Sequence, residues 1–151
     1  MRILAISGSL RSDSNNTALL RALRGEAPVG VEVELWHGLK EIPPYDQDDD
    51  VVPGPETVEA FRQLVREVDA VFFATPEFNS SVPGALKNAL DWASRPLATM
   101  GARVTDAELA VGHAGEKLDE HHRLVDDDVR QGLRDALDVL VAEIVPVEVA
   151  A

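Results

Sequence analysis

Ile3-Leu4-Ala5-Ile6-Ser7-Gly8-Ser9-Leu10-Arg11-Ser12-Asp13-Ser14-Asn15-Asn16 decides the fold of this chain, because a buried strand runs straight into a loop suited to holding a phosphate. Four apolar residues with no polar alternation read as a strand covered on both faces, as in a parallel sheet. The turn that follows is dense in hydroxyl, amide and guanidinium donors, and Thr17-Ala18-Leu19-Leu20-Arg21-Ala22-Leu23 continues it as a helix. Such a turn aims backbone N–H groups, a helix N-terminus and Arg11 at one small volume, which suits a dianion.

The loop matches neither common nucleotide signature. Gly8 is its only glycine, and the chain contains no G-x-G-x-x-G and no G-x-x-x-x-G-K-[S/T]. A phosphate would therefore be bound largely by side chains, with Ser9, Ser14 and Asn16 donating hydrogen bonds and Arg11 supplying charge. The competing reading is an ordinary strand-to-helix turn in which Ser14 or Asn16 only caps the helix.

Composition narrows the function classes. At 151 residues the chain is long enough for one core and too short for two ordinary domains, so a single domain over 1–151 is expected. A net charge of -13 repels polyanions and argues against nucleic-acid binding. With no cysteine there are no disulfides, thiolate metal sites or cysteine nucleophiles. Met1-Arg2-Ile3 enters a strand directly, and no apolar run approaches the roughly 20 residues that span a bilayer, so a cytoplasmic protein is expected.

Strands and helices alternate along the chain. Val31-Glu32-Val33-Glu34-Leu35-Trp36 has the alternation of a strand with one wet face at a sheet edge. Glu41 to Pro55 is a loop whose run Asp46-Gln47-Asp48-Asp49-Asp50 reads as solvated acidic surface, because it lacks the glycine and closing glutamate of a calcium loop. Pro55 opens a helix marked by Val58, Phe61, Leu64, Val65 and Val68, and Ala70-Val71-Phe72-Phe73-Ala74 is a second fully apolar strand. This order predicts an open parallel α/β sheet with right-handed crossovers, whose ligands sit beyond the carboxyl ends of the strands.

The loop after that strand, Thr75-Pro76-Glu77-Phe78-Asn79-Ser80-Ser81-Val82, combines an aromatic, an acid, an amide and exposed backbone donors. That mixture suits a flat heteroaromatic ring; alternatively, Phe78 simply covers the core. Pro83 then starts a helix with Leu86, Ala89, Leu90 and Ala93 inside.

Gly8-Ser9-Leu10-Arg11 with Ser14 and Asn16, followed by Pro76-Glu77-Phe78-Asn79-x-Ser81-x-Pro83-Gly84-x-Leu86-Lys87-Asn88-x-x-Asp91-Trp92, resembles the NADPH-dependent FMN reductase family. This flavodoxin-like group includes chromate and quinone reductases and related azoreductases. The resemblance covers Met1 to about Pro96, with both motifs in the right order after the right strands. It implies that Ser9, Arg11, Ser14 and Asn16 hold the FMN phosphate while Pro76, Glu77, Phe78 and Asn79 line the isoalloxazine. The family usually has tyrosine where this chain has Phe78, so the stacking face is kept and a hydroxyl is lost. Lys87, Asn88, Asp91 and Trp92 read as helix packing and subunit contacts.

After Pro96 the chain departs from that pattern. Relatives continue with a buried strand, a glycine-rich loop beside the flavin and a helix, together roughly 30 residues, whereas Ser94-Arg95-Pro96 runs almost directly into Leu97-Ala98-Thr99-Met100-Gly101-Ala102-Arg103-Val104. In one reading the unit is deleted: the expected sheet shortens from five strands to four, and Val104 begins a strand beside Val71-Phe72-Phe73. In the other, the molecule possesses residues here that this sequence lacks. Asp119 to Ile144 reads as a long helix with Val125, Val129, Leu133, Leu137, Leu140 and Ile144 on one stripe. His113, His121 and His122 read as surface residues, so no metal site is expected.

The resemblance implies an FMN enzyme that accepts hydride from NADPH or NADH and passes electrons to a quinone, a free flavin or another small acceptor, assembled as a homodimer or homotetramer. That chemistry belongs to the cofactor, and no residue is assigned a catalytic role. The alternative is an FMN-binding flavodoxin-like protein, either an electron carrier or a degenerate homologue of low turnover.

Overall fold

The computed structural model describes residues 1–144. Its elements are β1 (Arg2–Ser7), α1 (Asn15–Gly25), β2 (Glu32–Trp36), a 3-10 turn (Gly38–Glu41), α2 (Glu56–Glu67), β3 (Ala70–Ala74), α3 (Gly84–Thr99), a second 3-10 turn (Ala114–Lys117) and α4 (Asp127–Ile144). The strands form a parallel sheet in the order β2-β1-β3, with Ile3 opposite Val33 and Ala70 and Ile6 opposite Trp36 and Phe73.

Central β1 is buried on both faces because its side chains alternate between two cores. Leu4 and Ile6 pack with Val58, Phe61 and Val65 of α2 and Leu86 and Trp92 of α3. Ile3 and Ala5 pack with Leu19, Leu20 and Leu23 of α1 and Leu133 and Leu137 of α4. The result is the three-layer flavodoxin-like arrangement, with helices on both faces of a parallel sheet. Edge strand β2 exposes Glu32 and Glu34 as its alternation predicts, and Trp36 at its end stacks on Phe61, centroids 4.4 Å apart.

Beyond β3 the structure departs from the sequence reading. Among the described residues the sheet has three strands rather than four, and Val104 is 98% exposed instead of starting a strand. The outer edge of β3 is therefore unpaired, so its apolar run is not doubly covered and Phe73 remains 39% exposed. The chain that would make a fourth strand instead prolongs α3, which continues through buried Pro96 to Thr99 rather than ending after Ala93.

Two further expectations are corrected. The last helix begins at Asp127, not Asp119, because the Asp119 carboxylate accepts from the His121 and Arg123 N–H groups at 2.9 Å and closes a turn that competes with a helix. Val125 precedes the helix and is exposed, whereas Val129, Leu133, Leu137 and Leu140 form the predicted stripe. The acidic loop is not solvated throughout: Asp50 is only 4% exposed and receives Arg62 Nη2 at 2.6 Å.

Candidate functional site

Two loops start side by side at the carboxyl ends of β1 and β3. The Gly8 N–H donates to the Ala74 carbonyl at 2.8 Å, carrying the sheet's hydrogen bonding past the end of β1. A Cβ on Gly8 would lie 2.9 Å from Thr75 Cβ, closer still to Thr75 Oγ1, and 3.1 Å from Leu86 Cδ2. Gly8 is thus a close-approach residue, and its missing side chain is what lets the loops begin in contact.

The first loop carries the predicted phosphate ligands. Ser7 Oγ accepts from the Ser9 N–H at 3.3 Å, and Ser9 Oγ from the Arg11 N–H at 3.4 Å. Buried Ser14 caps α1, its Oγ accepting from the Thr17 N–H at 3.3 Å. The capping reading is therefore right for Ser14, yet a hydroxyl that accepts one bond still has its own hydrogen to donate. Half-buried Asn16 lies in the first turn of α1, which contains no acidic residue. Arg11 is exposed and makes no ion pair among the described residues. Hydroxyl donors, a helix N-terminus and an uncompensated guanidinium fit a phosphate group.

The second loop is a two-residue hairpin. Phe78 donates to the Ser81 carbonyl at 2.9 Å, and Ser81 donates back at 3.1 Å. Asn79 and Ser80 between them have φ of 52° and 58°, as in a type I′ turn. At the base of this turn Phe78 is 60% exposed, so it does not serve the core. It offers a free aromatic face beside exposed Glu77 and half-buried Pro76, which suits a ring needing stacking on its face and polar groups at its edge. The eight predicted residues thus lie on two loops flanking the Gly8–Thr75 contact.

A packed support lies behind the second loop. Arg62 Nε donates to the Trp92 carbonyl at 2.9 Å while its other nitrogens reach Asp50 at 2.6 Å and Glu59 at 2.9 Å. Trp92 Nε1 and Asn88 Nδ2 donate to the Pro43 carbonyl at 2.9 and 2.8 Å. These bonds tie α3, and the loop entering it, to α2 and the acidic loop, so Asn88 and Trp92 have the packing role expected of them. The Arg62 hydrogen bond holds the Asp50 carboxyl below the usual range; burial opposes the charge on Arg62, but its bonds to Asp50 and Glu59 outweigh that and raise its pKa.

A cavity of about 180 Å³ opens on the other flank, between β1 and β2. It shares Ser9, Arg11 and Thr17 with the first loop and adds Arg21, His37 and Lys40, which sequence reasoning missed. Two signals could have found them. Arg21 follows Thr17 by one helical turn and so shares its face, and His37 and Lys40 directly follow a strand's carboxyl end. No group of three or more metal-ligating side chains occurs among the described residues, and none of their helices is long and apolar enough to cross a membrane.

Known proteins share these features. The chain is 49% identical to an NAD(P)H-dependent FMN reductase of Pseudomonas aeruginosa over 96 residues, covering 64% of this chain and 51% of that protein. It is 44% identical over 96 residues to a quinone reductase of Escherichia coli K12, covering 63% and 51%. A probable NADPH:quinone oxidoreductase of Oryza sativa subsp. japonica is 41% identical over 126 residues, covering 81% and 62%. The chain spans about half the length of the first two relatives. Its fold is shared with FerB, a flavoenzyme NAD(P)H:(acceptor) oxidoreductase from Paracoccus denitrificans, at a TM-score of 0.71 and 22% identity, covering 93% of this chain and 97% of that one. Residues 1–144 match the NADPH-dependent FMN reductase family, and the chain belongs to it.

Proposed function

We propose that this chain binds FMN and acts as an NAD(P)H oxidoreductase, passing electrons to a quinone, a free flavin or another small acceptor. The observation that carries the reading is the contact between Gly8 and Thr75, which brings a phosphate-type loop and an aromatic hairpin to one point. Ser9, Arg11, Ser14 and Asn16 hold the phosphate; Pro76, Glu77, Phe78 and Asn79 flank the ring. FMN, when bound, accepts a hydride and returns electrons to the acceptor. The protein's part is to fix the phosphate, cover one ring face with Phe78 and keep water from it.

Two assembly features belong to the same reading. The unpaired edge of β3 and half-exposed Phe73 favour a homodimer or homotetramer that covers them, in a cytoplasmic setting. They also favour a second reading, an FMN protein of low turnover or an electron carrier, because no fourth strand brings a third loop to the ring. Steady-state NADPH oxidation with a quinone separates the two: turnover supports the reductase, and bound FMN without turnover supports the carrier or degenerate form.

A further inference from the structure

On a chain of net charge -13, the cavity between β1 and β2 has no acidic lining residue. Three permanently charged cations, Arg11, Arg21 and Lys40, line it, together with His37 and the hydroxyls of Ser7, Ser9 and Ser12. Arg21 and Lys40 are exposed and make neither an ion pair nor a side-chain hydrogen bond among the described residues. Cations gathered without counter-charge repel one another, and an anion between them relieves that repulsion. The wall opposite the charges is apolar, made by Leu10, Leu39 and Trp36.

Size restricts what enters. About 180 Å³ admits a phosphate with part of the sugar that carries it, but falls below the roughly 300 Å³ at which pockets begin to enclose a whole drug-sized ligand. The cavity also lies across β1 from the Phe78 hairpin, one strand spacing of about 4.8 Å towards β2. A dinucleotide whose reactive ring lies at the hairpin would extend past β1 to place its distal half here.

We propose that Arg21 and Lys40, assisted by His37, form a second phosphate site that takes the ribose 2′-phosphate of NADPH and so sets a preference for NADPH over NADH. The inference rests on the flavoenzyme reading for the identity of its ligand. Neither side chain belongs to the FMN loops, so the two sites are separable by substitution.

The test is calorimetric binding of NADP⁺ and NAD⁺, which differ only in that phosphate, to FMN-saturated protein and to Arg21→Gln and Lys40→Gln. NADP⁺ is expected to bind at least about ten-fold more tightly than NAD⁺, and the double variant to abolish that ratio, about 1.4 kcal/mol of discrimination. The ratio of kcat/KM for NADPH over NADH should fall in parallel. Equal binding of the two nucleotides, or a preference that survives both substitutions, overturns the proposal. So does NADP⁺ binding only to FMN-free protein, which would make this cavity the FMN phosphate pocket. Failure of the flavin reading shows separately, in a direct FMN titration; a phosphate preference lost on substitution would still support the site.

Discussion

Gly8 lies against Thr75 so closely that no side chain fits between them: a Cβ on Gly8 would meet Thr75 Cβ at 2.9 Å. This contact joins the two loops of the proposed flavin site. Gly8→Ala is therefore expected to cost about 1–3 kcal/mol of stability and to weaken FMN binding, as the ends of β1 and β3 are forced apart. Thr75→Gly in the same chain should restore both, and Thr75→Ala only part, since its Cβ remains. Urea denaturation with parallel FMN titration checks this; a Gly8→Ala protein with native affinity would show that the loops do not act together.

Ser14 separates capping from ligand binding. Its Oγ accepts from the Thr17 N–H, leaving one hydrogen to donate. Ser14→Ala should cost about 1 kcal/mol of stability. Ser14→Asp retains the cap but puts a negative charge where the phosphate is expected, so stability should hold while FMN affinity collapses. Retained affinity in Ser14→Asp would place the phosphate elsewhere.

The Arg62 network predicts a stability effect remote from ligand. Arg62 is 4% exposed and bonded to Asp50, Glu59 and the Trp92 carbonyl, so Arg62→Ala leaves a buried carboxylate supported only by Arg95 and Tyr45. A loss of about 3 kcal/mol is expected, from the cost of stranding one partner of a buried ion pair. Arg62→Ala with unchanged urea midpoint would contradict the assignment of this cluster as the clamp on α3.

Acid should unfold the protein through the same class of group. Asp119 is lowered from 3.8 to about 2, chiefly by the Arg123 backbone and side-chain hydrogen bonds, and Asp50 is lowered chiefly by Arg62. A carboxyl whose folded pKa is depressed stabilises the fold above its unfolded pKa, and that contribution fades as pH falls through the folded value. Stability from these groups should be flat above about pH 5 and decline between about pH 4 and pH 2. Asp119→Asn should flatten part of that decline when urea midpoints are compared across pH.

The sequence made the first half of the molecule legible for physical reasons. Apolar Ile3 to Ile6 has no explanation outside a doubly covered strand, and Gly8 marks the one point where side chains must be absent. Phe72 and Phe73 were misleading: an apolar run predicts burial, but whether a neighbouring strand exists is decided elsewhere in the chain. Residues 119–123 carry helix-like spacing, yet the Asp119 carboxylate captures the local N–H groups first. Arg21, His37 and Lys40 were invisible as a set because only the parallel pairing of β1 with β2 brings them to one cavity.

The central claim is that the two loops together hold FMN, and equilibrium titration of the purified chain and its Arg11→Ala variant with FMN, followed by flavin fluorescence, tests it most directly. The account predicts one FMN per chain and a loss of roughly 1.5–3 kcal/mol, about ten- to a hundred-fold in affinity, when the guanidinium is removed. No FMN binding by the unaltered chain, or equal affinity in Arg11→Ala, would contradict it.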